Sequence, residues 1–211
     1  MRRLFILFSI LSLTLDLHGQ SDPKAISILD KFSSTVSAAP SVSMKFLLIT
    51  TDQVENITDT IDGSIILSKD NYRLILPNNT IWFNGETSWS YLHAEKEVTI
   101  TTPDKKDDSF LSRPSSIFTM YKKGYKCRLV EEGKDFYVVD LYPEEIKSDL
   151  IRVRLTIEKP SLNLDCFEYK RRDGITITLM VKDYNLKQPV EPDMFRFSPL
   201  KYKGIEVIDM R

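Results

Sequence analysis

Short runs of alternating apolar and polar residues recur along most of this 211-residue chain. In the clearest run, from Ile151 to Glu158, apolar residues at the odd positions alternate with arginine, threonine and glutamate. Successive side chains of a strand point to opposite faces, so such a run predicts a strand with one buried and one solvated face. Asn84-Gly85-Glu86, between two further runs, is a tight hairpin signal. The pattern predicts ten or eleven short strands, closing with residues 195–197 and 205–207, in a large antiparallel sheet that is curled or nearly closed.

The first twenty residues follow a different pattern. A positively charged start precedes an apolar stretch from Leu4 to Leu15. That stretch is about 12 residues long, whereas a membrane-spanning helix needs about 20, so it has the length of a secretory signal peptide. Small Gly19 offers a cleavage site, and we expect the mature protein to begin at Gln20 or Ser21. The sequence thus predicts export.

We therefore predict a signal peptide over residues 1–20 and a single domain over residues 21–211. Removing Arg2, Arg3 and Asp16 moves the formal net charge from −1 to −2, which argues against nucleic acid as a partner. The 191 residues that remain of the 211 are enough for one domain with its own core. No cysteine lies near the cleavage site, so we expect a soluble protein without a lipid anchor of its own.

Two segments break the strand pattern. From Pro23 to Ala39, apolar side chains recur at helical spacing, with Asp22 placed to cap the helix and Pro23 at its first position. Residues 112–121 predict a short helix between two parts of the sheet, ended by Gly124.

Cys127 and Cys166 are the two cysteines of the chain. In a simple meander their strands lie three positions apart, roughly 14 Å at about 4.8 Å per strand. A disulfide needs Cα atoms within about 7 Å, so we expect two free thiols that act as small buried hydrophobes.

The sequence offers little for catalysis. His93 is the only histidine beyond residue 20, and it falls in a predicted turn without a positioned nucleophile. The carboxylate pairs at 107–108, 131–132 and 144–145 fall in predicted loops, where solvated side chains are the ordinary case. No glycine-rich phosphate loop or calcium loop is present. We therefore expect neither an enzyme, nor a metal site, nor a cofactor.

Some predicted strands are apolar on both faces, at residues 47–49, 65–67 and 74–76. One interpretation is burial of both faces between the sheet and its helices. The other is a curved sheet whose concave side lines an apolar cavity, as in β-barrels that hold hydrophobic ligands. Periodicity alone leaves both open.

The order of several motifs resembles the LolA family of periplasmic outer-membrane lipoprotein carriers. The motifs are Gly63-Ser64-Ile65-Ile66-Leu67-Ser68-Lys69-Asp70-Asn71-Tyr72-Arg73, then Asn84-Gly85-Glu86-Thr87-Ser88-Trp89-Ser90-Tyr91, then the segment that begins at Pro114, and finally Phe195-Arg196-Phe197-Ser198-Pro199 with Gly204-Ile205-Glu206-Val207-Ile208-Asp209. They follow the family's order across nearly the whole predicted domain.

The resemblance implies a mainly β, α+β fold: an incomplete β-barrel capped by short helices around a cavity for acyl chains. The residues assigned to the acyl-chain cavity are Phe46, Leu48, Ile65, Leu67, Tyr72, Leu74, Leu76, Trp89 and Tyr91, and those assigned to its lid are Lys69, Ile117, Phe118 and Met120. The family has an arginine that holds the lid where this chain has Lys69. Lysine lacks the forked donors of arginine, so lid closure by that route is in doubt.

By the same resemblance, we expect a monomeric periplasmic carrier that transfers lipoproteins from an inner-membrane lipoprotein-releasing ABC transporter to an outer-membrane receptor or to the outer membrane itself. The alternative is a module of the same fold that binds another lipid or senses mislocalised lipoproteins. An apolar wall binds the acyl chains of different lipids in the same way, so the sequence does not distinguish the lipoprotein carrier from the alternative module.

Overall fold

One twelve-stranded sheet organises the part of the chain that the structure, a computed structural model, describes: residues 21–104, 110, 112–191 and 193–211. The predicted signal peptide, its cleavage site and the carboxylate pair at 107–108 lie outside these residues. The strands are β1 (Val42–Asp52), β2 (Ile57–Ser68), β3 (Asn71–Ile75), β4 (Asn79–Phe83), β5 (Ser88–Leu92), β6 (Glu97–Thr101), β7 (Tyr125–Glu132), β8 (Phe136–Pro143), β9 (Leu150–Glu158), β10 (Leu164–Arg171), β11 (Ile175–Asn185) and β12 (Glu206–Asp209).

The spatial order of the strands is β12-β6-β5-β4-β3-β2-β1-β11-β10-β9-β8-β7. Two antiparallel meanders, β1 to β6 and β7 to β11, are thus joined where β1 pairs with β11. Only β12 runs parallel to its neighbour, β6, among the strands in the described ranges. The sheet is curved and does not close, which confirms the predicted mainly β architecture. Twelve strands replace the ten or eleven expected.

One element was only assumed from the sequence and another differs from the prediction. Residues 125–132 form β7, the strand that the cysteine argument assumed at Cys127; its alternation is weak, because only Cys127 among them is fully buried and a bulge between Leu129 and Glu131 interrupts the pattern. Phe195 and Phe197 are both buried but belong to no strand. Phe197 packs against Trp82 on the convex face of the sheet instead of pairing with an edge, so burial rather than strand pairing accounts for its place in the alternation.

The helix α1 (Pro23–Ala38) forms as predicted. The Asp22 carboxylate accepts a hydrogen bond from the Lys24 amide, and Pro23 occupies the first turn. Leu29 and Phe32 are fully buried against the concave face of the sheet. Burial of side chains this large stabilises the fold by roughly 1.5–3 kcal/mol each. No helix within the described residues is long and apolar enough to cross a membrane.

The chain just before α1 closes one edge of the sheet. The Asp22 amide donates to the Cys127 carbonyl at 2.8 Å, and the Cys127 amide donates to the Ser21 hydroxyl at 3.0 Å. The Leu129 amide donates to the Asp22 carboxylate at 3.3 Å. Backbone groups of β7 that would otherwise be unpaired are satisfied in this way, which protects the edge from pairing with another chain.

Both cysteines are free, as predicted. Cys127 lies on β7 and Cys166 on β10, and β8 and β9 separate these strands. The predicted separation of three strand positions is therefore confirmed.

The short helix expected near residues 112–121 is present as two 3-10 helices, Pro114–Phe118 and Met120–Lys122, and a third, Pro199–Lys201, lies near the C-terminus. We call Pro114–Phe118 the lid segment. It belongs to the connection between β6 and β7, so it crosses from one meander to the other. Ile117 and Phe118 are buried, and the ring of Phe118 lies 5.5 Å from that of Phe32 on α1.

Candidate functional site

An apolar cavity lies between the concave face of the sheet and the lid segment. Strand pairing brings its wall together, since Met44 on β1 faces Ile65 on β2, and Ile65 faces Leu74 on β3. The cavity measures about 90 Å³. It is lined by Met44, Phe46, Leu48, Ile65, Leu74, Leu76, Phe110, Pro114, Ile117 and Leu179. We call this space the inner cavity.

Every residue that lines the inner cavity is apolar. The lining therefore offers no ionisable side chain for acid-base catalysis and no nucleophile. Its only physical capacity is to remove apolar surface from water, which stabilises a bound hydrocarbon by about 0.8 kcal/mol per buried methylene.

A second cavity, of about 340 Å³, lies on the other side of the lid segment. It is bounded by the C-terminal end of α1, the turn between β2 and β3, and the lid segment itself. We call it the outer cavity, and it is lined by Val36, Ser37, Ala39, Pro40, Ser41, Val42, Leu67, Lys69, Asp70, Ser115, Phe118 and Thr119. Pro114 and Ile117 face the inner cavity, whereas Ser115 and Phe118 face the outer one, so the lid segment is the partition between them.

The turn between β2 and β3 contacts the lid segment through a side-chain hydrogen bond. The Ser115 hydroxyl donates to the Asp70 carboxylate at 3.3 Å. Lys69, the preceding residue, has a positive φ of 54° and is exposed, and in the described part of the chain it makes no hydrogen bond to the lid segment. The contact between turn and lid therefore lies one residue beyond the position that the family arginine occupies.

The structure brings together most of the residues assigned from the sequence. Phe46, Leu48, Ile65, Leu74 and Leu76 line the inner cavity with the lid residue Ile117. Leu67, Lys69 and Phe118 line the outer cavity. Met120 packs against the main core.

Tyr72 lies beside the cavity wall without lining it. It pairs with Leu67 across β2 and β3, and its ring lies 5.4 Å from that of Phe83. Burial raises the pKa of its hydroxyl, so the side chain stays neutral at any physiological pH. Tyr72 therefore belongs to the core that supports the cavity.

Trp89 and Tyr91 do not belong to the cavity, which corrects their assignment. Leu74 pairs with Ile81, and Trp89 pairs with Trp82, the next residue along β4. Adjacent residues of a strand point to opposite faces, so Trp89 and Tyr91 lie on the convex face. There the Tyr91 ring lies 4.8 Å from that of Tyr202 in the C-terminal segment, within a separate aromatic cluster.

Sequence reasoning missed four of the lining residues. Met44 alternates in step with the predicted cavity residues Phe46 and Leu48, so strict parity along β1 would have found it. Leu179 joins the wall only through its pairing with Leu48 across β1 and β11, which is a long-range contact. Pro114 opens the lid segment. Phe110 carries no periodic signal, because it stands alone in the connection between β6 and β7.

His93 has a structural role at the end of β5. Its Nδ1 lies 3.0 Å from the Pro77 carbonyl, which can only accept a hydrogen bond, so Nδ1 carries the proton. Nε2 lies 2.9 Å from the Thr80 hydroxyl. Both ring nitrogens are thus occupied in holding a turn. Within the described ranges, no three histidine, cysteine or acidic residues come together as a metal site would require.

Comparison with solved structures identifies the fold. An uncharacterized conserved protein from Thermus thermophilus superposes with a TM-score of 0.57 at 12% identity, covering 88% of this chain and 99% of that one. A putative outer membrane lipoprotein-sorting protein domain from Vibrio parahaemolyticus has a TM-score of 0.44 at 11% identity, covering 82% and 96%. The protein LprF from Mycobacterium bovis has a TM-score of 0.43 at 11% identity, covering 84% and 100%.

Comparison of sequences identifies the family. A search of curated proteins gave no significant match. The family described as outer membrane lipoprotein carrier protein LolA matches residues 15–174, which is most of the chain. The resemblance seen in the sequence motifs is thereby confirmed, and this chain belongs to the LolA family of outer membrane lipoprotein carrier proteins.

Proposed function

We propose that this protein is a soluble periplasmic carrier that holds the acyl chains of lipoproteins on the concave face of its sheet. The observation that carries this proposal is an entirely apolar cavity roofed by a short segment rather than by a full layer of structure. The description of its family, as an outer membrane lipoprotein carrier, supports the same role.

The size of the inner cavity implies that the lid segment moves when a ligand binds. Pockets for small organic ligands commonly hold roughly 300–1,000 Å³, several times the 90 Å³ of the inner cavity. The outer cavity lies directly behind the lid segment. Displacing Ile117 and Phe118 would join the two cavities into a single channel that is apolar at its inner end and mixed at its outer end. An acyl chain would then replace the contacts that these side chains give up.

Differential burial accounts for both loading and release. Each methylene taken out of water contributes about 0.8 kcal/mol, so an acyl chain stays bound against water without any cofactor. A membrane or a receptor that offers comparable burial can accept the chain at little net cost. The source would be an inner-membrane lipoprotein-releasing ABC transporter, and the destination an outer-membrane receptor or the outer membrane itself, with the carrier acting as a monomer.

A transfer assay tests the carrier role. Donor vesicles containing a fluorescent diacylated lipoprotein are incubated with the purified protein spanning residues 21–211, and acceptor vesicles are then added. A carrier brings the lipoprotein into the soluble fraction and delivers it to the acceptor vesicles. If the protein extracts the lipoprotein but retains it, the sensing module of the same fold is the better description; if it extracts nothing, the proposed function is wrong.

A further inference from the structure

The hairpin of β1 and β2 extends well beyond the strand next to it. β2 pairs with β1 from Ile57 to Leu67, but it pairs with β3 only from Ser64 to Ser68. Among the residues that the structure describes, 57–63 therefore pair with a strand on one side only, so this part of the sheet contains a free edge beside the end of β3.

The direction of the backbone groups on this edge follows from a local contact. The Thr60 amide donates to the Asp59 carboxylate at 2.9 Å, so it points away from β1. Backbone groups alternate in direction along an antiparallel strand, which means that Thr58 and Asp62 also point their N–H and C=O groups to the free edge. Within the described part of the chain, these groups of Thr58 and Asp62 have no hydrogen-bond partner.

An open groove of about 580 Å³ lies where the free edge meets the end of β3. It is lined by Lys45, Phe46, Asp62, Gly63, Ser64, Ile75, Leu76, Pro77, His93 and Lys182. Phe46 and Leu76 line this groove and the inner cavity as well. A ligand with an apolar end in the inner cavity can therefore continue past these two side chains into the groove.

The wall of the groove carries charges of both signs, because it contains Lys45, Lys182 and Asp62. It therefore selects no particular charge in a ligand. What it does offer is a row of backbone donors and acceptors, which an extended peptide of any sequence can match by adding as a strand.

Resting on the proposed function, we propose that this groove binds the extended peptide next to the acylated residue of a client lipoprotein. The peptide pairs with residues 60–62 of β2, on the side of β2 that β3 does not reach. The acyl chains would lie in the inner cavity and the peptide would leave past Phe46 and Leu76. The edge at β7 does not offer the same site, since Ser21 and Asp22 already bond its backbone at Cys127 and Leu129.

Two synthetic ligands separate this site from the acyl cavity: a diacylglyceryl-cysteine followed by a neutral six-residue peptide, and the same diacylglyceryl-cysteine without the peptide. We expect the first to bind roughly ten-fold tighter, which corresponds to two or so net backbone hydrogen bonds. Equal affinities would overturn the peptide site while leaving the carrier proposal intact. Failure of both ligands to bind would contradict the carrier proposal itself.

A proline substitution tests the backbone donor. Asp62→Pro removes the outward N–H without removing a bond to β1, and proline is tolerated on strand edges of this kind. Asp62→Asn removes the same charge but keeps the N–H. We expect Asp62→Pro to bind the acylated peptide roughly five-fold more weakly than Asp62→Asn, the loss of about one hydrogen bond, with equal affinity for the peptide-free ligand. Equal affinity for the peptide would overturn the proposal.

A photo-crosslinker provides a second readout that does not depend on the proline variant folding. Benzoylphenylalanine at Thr60 should crosslink to the acylated peptide, whereas the same group at Ile151, an exposed residue of β9 four strand positions from β2, should not. Crosslinking from Ile151 but not from Thr60 would place the peptide elsewhere and contradict the inference.

Discussion

At the scale of single residues, Gly63 lies where the concave face has no room for a side chain. A Cβ atom there would lie 2.5 Å from the Cε2 and Cζ atoms of Phe46 and 3.0 Å from Cδ2 of Leu76. Both side chains line the inner cavity, and the Phe46 ring is buried. The absence of a side chain at residue 63 is therefore what lets the phenyl ring lie flat against the sheet and form the cavity wall.

We expect Gly63→Ala to destabilise the protein by about 1–3 kcal/mol, the usual cost of overpacking a core. Urea unfolding followed by circular dichroism measures this change. Ser64→Ala is the matched control, because Ser64 lies on the opposite face of the same strand and should unfold close to the wild-type midpoint. An unchanged midpoint for Gly63→Ala would mean that Phe46 moves aside freely and that the cavity wall is not tightly packed.

The two thiols give a pH-dependent prediction. Burial raises the pKa of both Cys127 and Cys166 to about 11. Each thiol therefore keeps its proton to a higher pH in the folded than in the unfolded protein, so the stability tied to it is present below about pH 9 and is lost as the pH rises through 11. At pH 8 we expect iodoacetamide to leave both thiols of the native protein nearly unmodified.

Unfolding in urea without reductant should expose both thiols, and mass spectrometry should then show two modified cysteines per chain. No modification under these conditions would mean that the thiols form a disulfide. That result would contradict the placement of β7 and β10 three strand positions apart.

The residues that the sequence predicted best are those whose face is fixed by short-range alternation. Phe46, Leu48, Ile65 and Leu74 follow from the period of two along β1, β2 and β3. Trp89 was misassigned because its face depends on the register of two successive hairpins, β3–β4 and β4–β5, and one residue of shift reverses every side chain. The paired serines at 88 and 90, rather than the large aromatic residues, are what share a face with Leu74.

At the scale of elements, the lid segment contacts the sheet through one weak side-chain hydrogen bond and packs on α1 through a buried aromatic side chain. The hydrogen bond from Ser115 to Asp70 is exposed and 3.3 Å long, so its net contribution to closure is about 1 kcal/mol or less. The apolar contact of Phe118 with Phe32 is the larger attraction. An acyl chain that replaces the apolar contact then needs to break only a weak polar one, which suits a lid that opens for its ligand.

The lid contact is tested by a double-mutant cycle. Ser115→Ala and Asp70→Ala should each speed the uptake of an apolar dye by roughly two- to five-fold in stopped-flow fluorescence, because each removes the same bond of about 1 kcal/mol or less. The double variant should show no further gain. Additive effects of the two substitutions would mean that they act separately and that the hydrogen bond does not hold the lid.

Helix and strand elements differed in how far the sequence determined them. α1 was predicted with its cap because Asp22, Pro23 and the apolar stripe are all local signals. β7 was only assumed, from the parity of Cys127 and Leu129, because its bulge and its exposed residues hide the alternation, and its position depends on pairing with β8 and on the cap from Ser21 and Asp22. Strand pairing and capping by distant residues do not change the local alternation of apolar and polar residues, so the sequence does not reveal them.

At the scale of the whole molecule, the structure is two meanders that meet at one pair of strands. β1 and β11 pair along ten residues of β1, and no local feature of the sequence predicts this pairing because it joins distant parts of the chain. The connection between the meanders contains the lid segment. The curvature of the joined sheet forms the concave side, and the connection that contains the lid segment covers it. The cavity therefore requires both meanders and the connection between them.

The run at residues 74–76, which is apolar on both faces of its strand, can now be explained. Leu74 faces the inner cavity, whereas Ile75 lies on the convex face and is 36% exposed. Neighbouring residues of one strand thus have different environments, and this makes them a matched pair for testing where a ligand binds.

The most direct measurement of acyl binding beneath the lid segment is the displacement of an apolar, environment-sensitive dye by a long-chain fatty acid. It is made on the wild type, Leu74→Glu and Ile75→Glu, and circular dichroism checks that each variant is folded. Wild type and Ile75→Glu should bind the dye and release it to the fatty acid, whereas folded Leu74→Glu should bind neither, because an unpaired charge in a dry cavity costs several kcal/mol or fills it with water. Dye binding that is absent in wild type, or equal in the two folded variants, would contradict an acyl-binding site on the concave face.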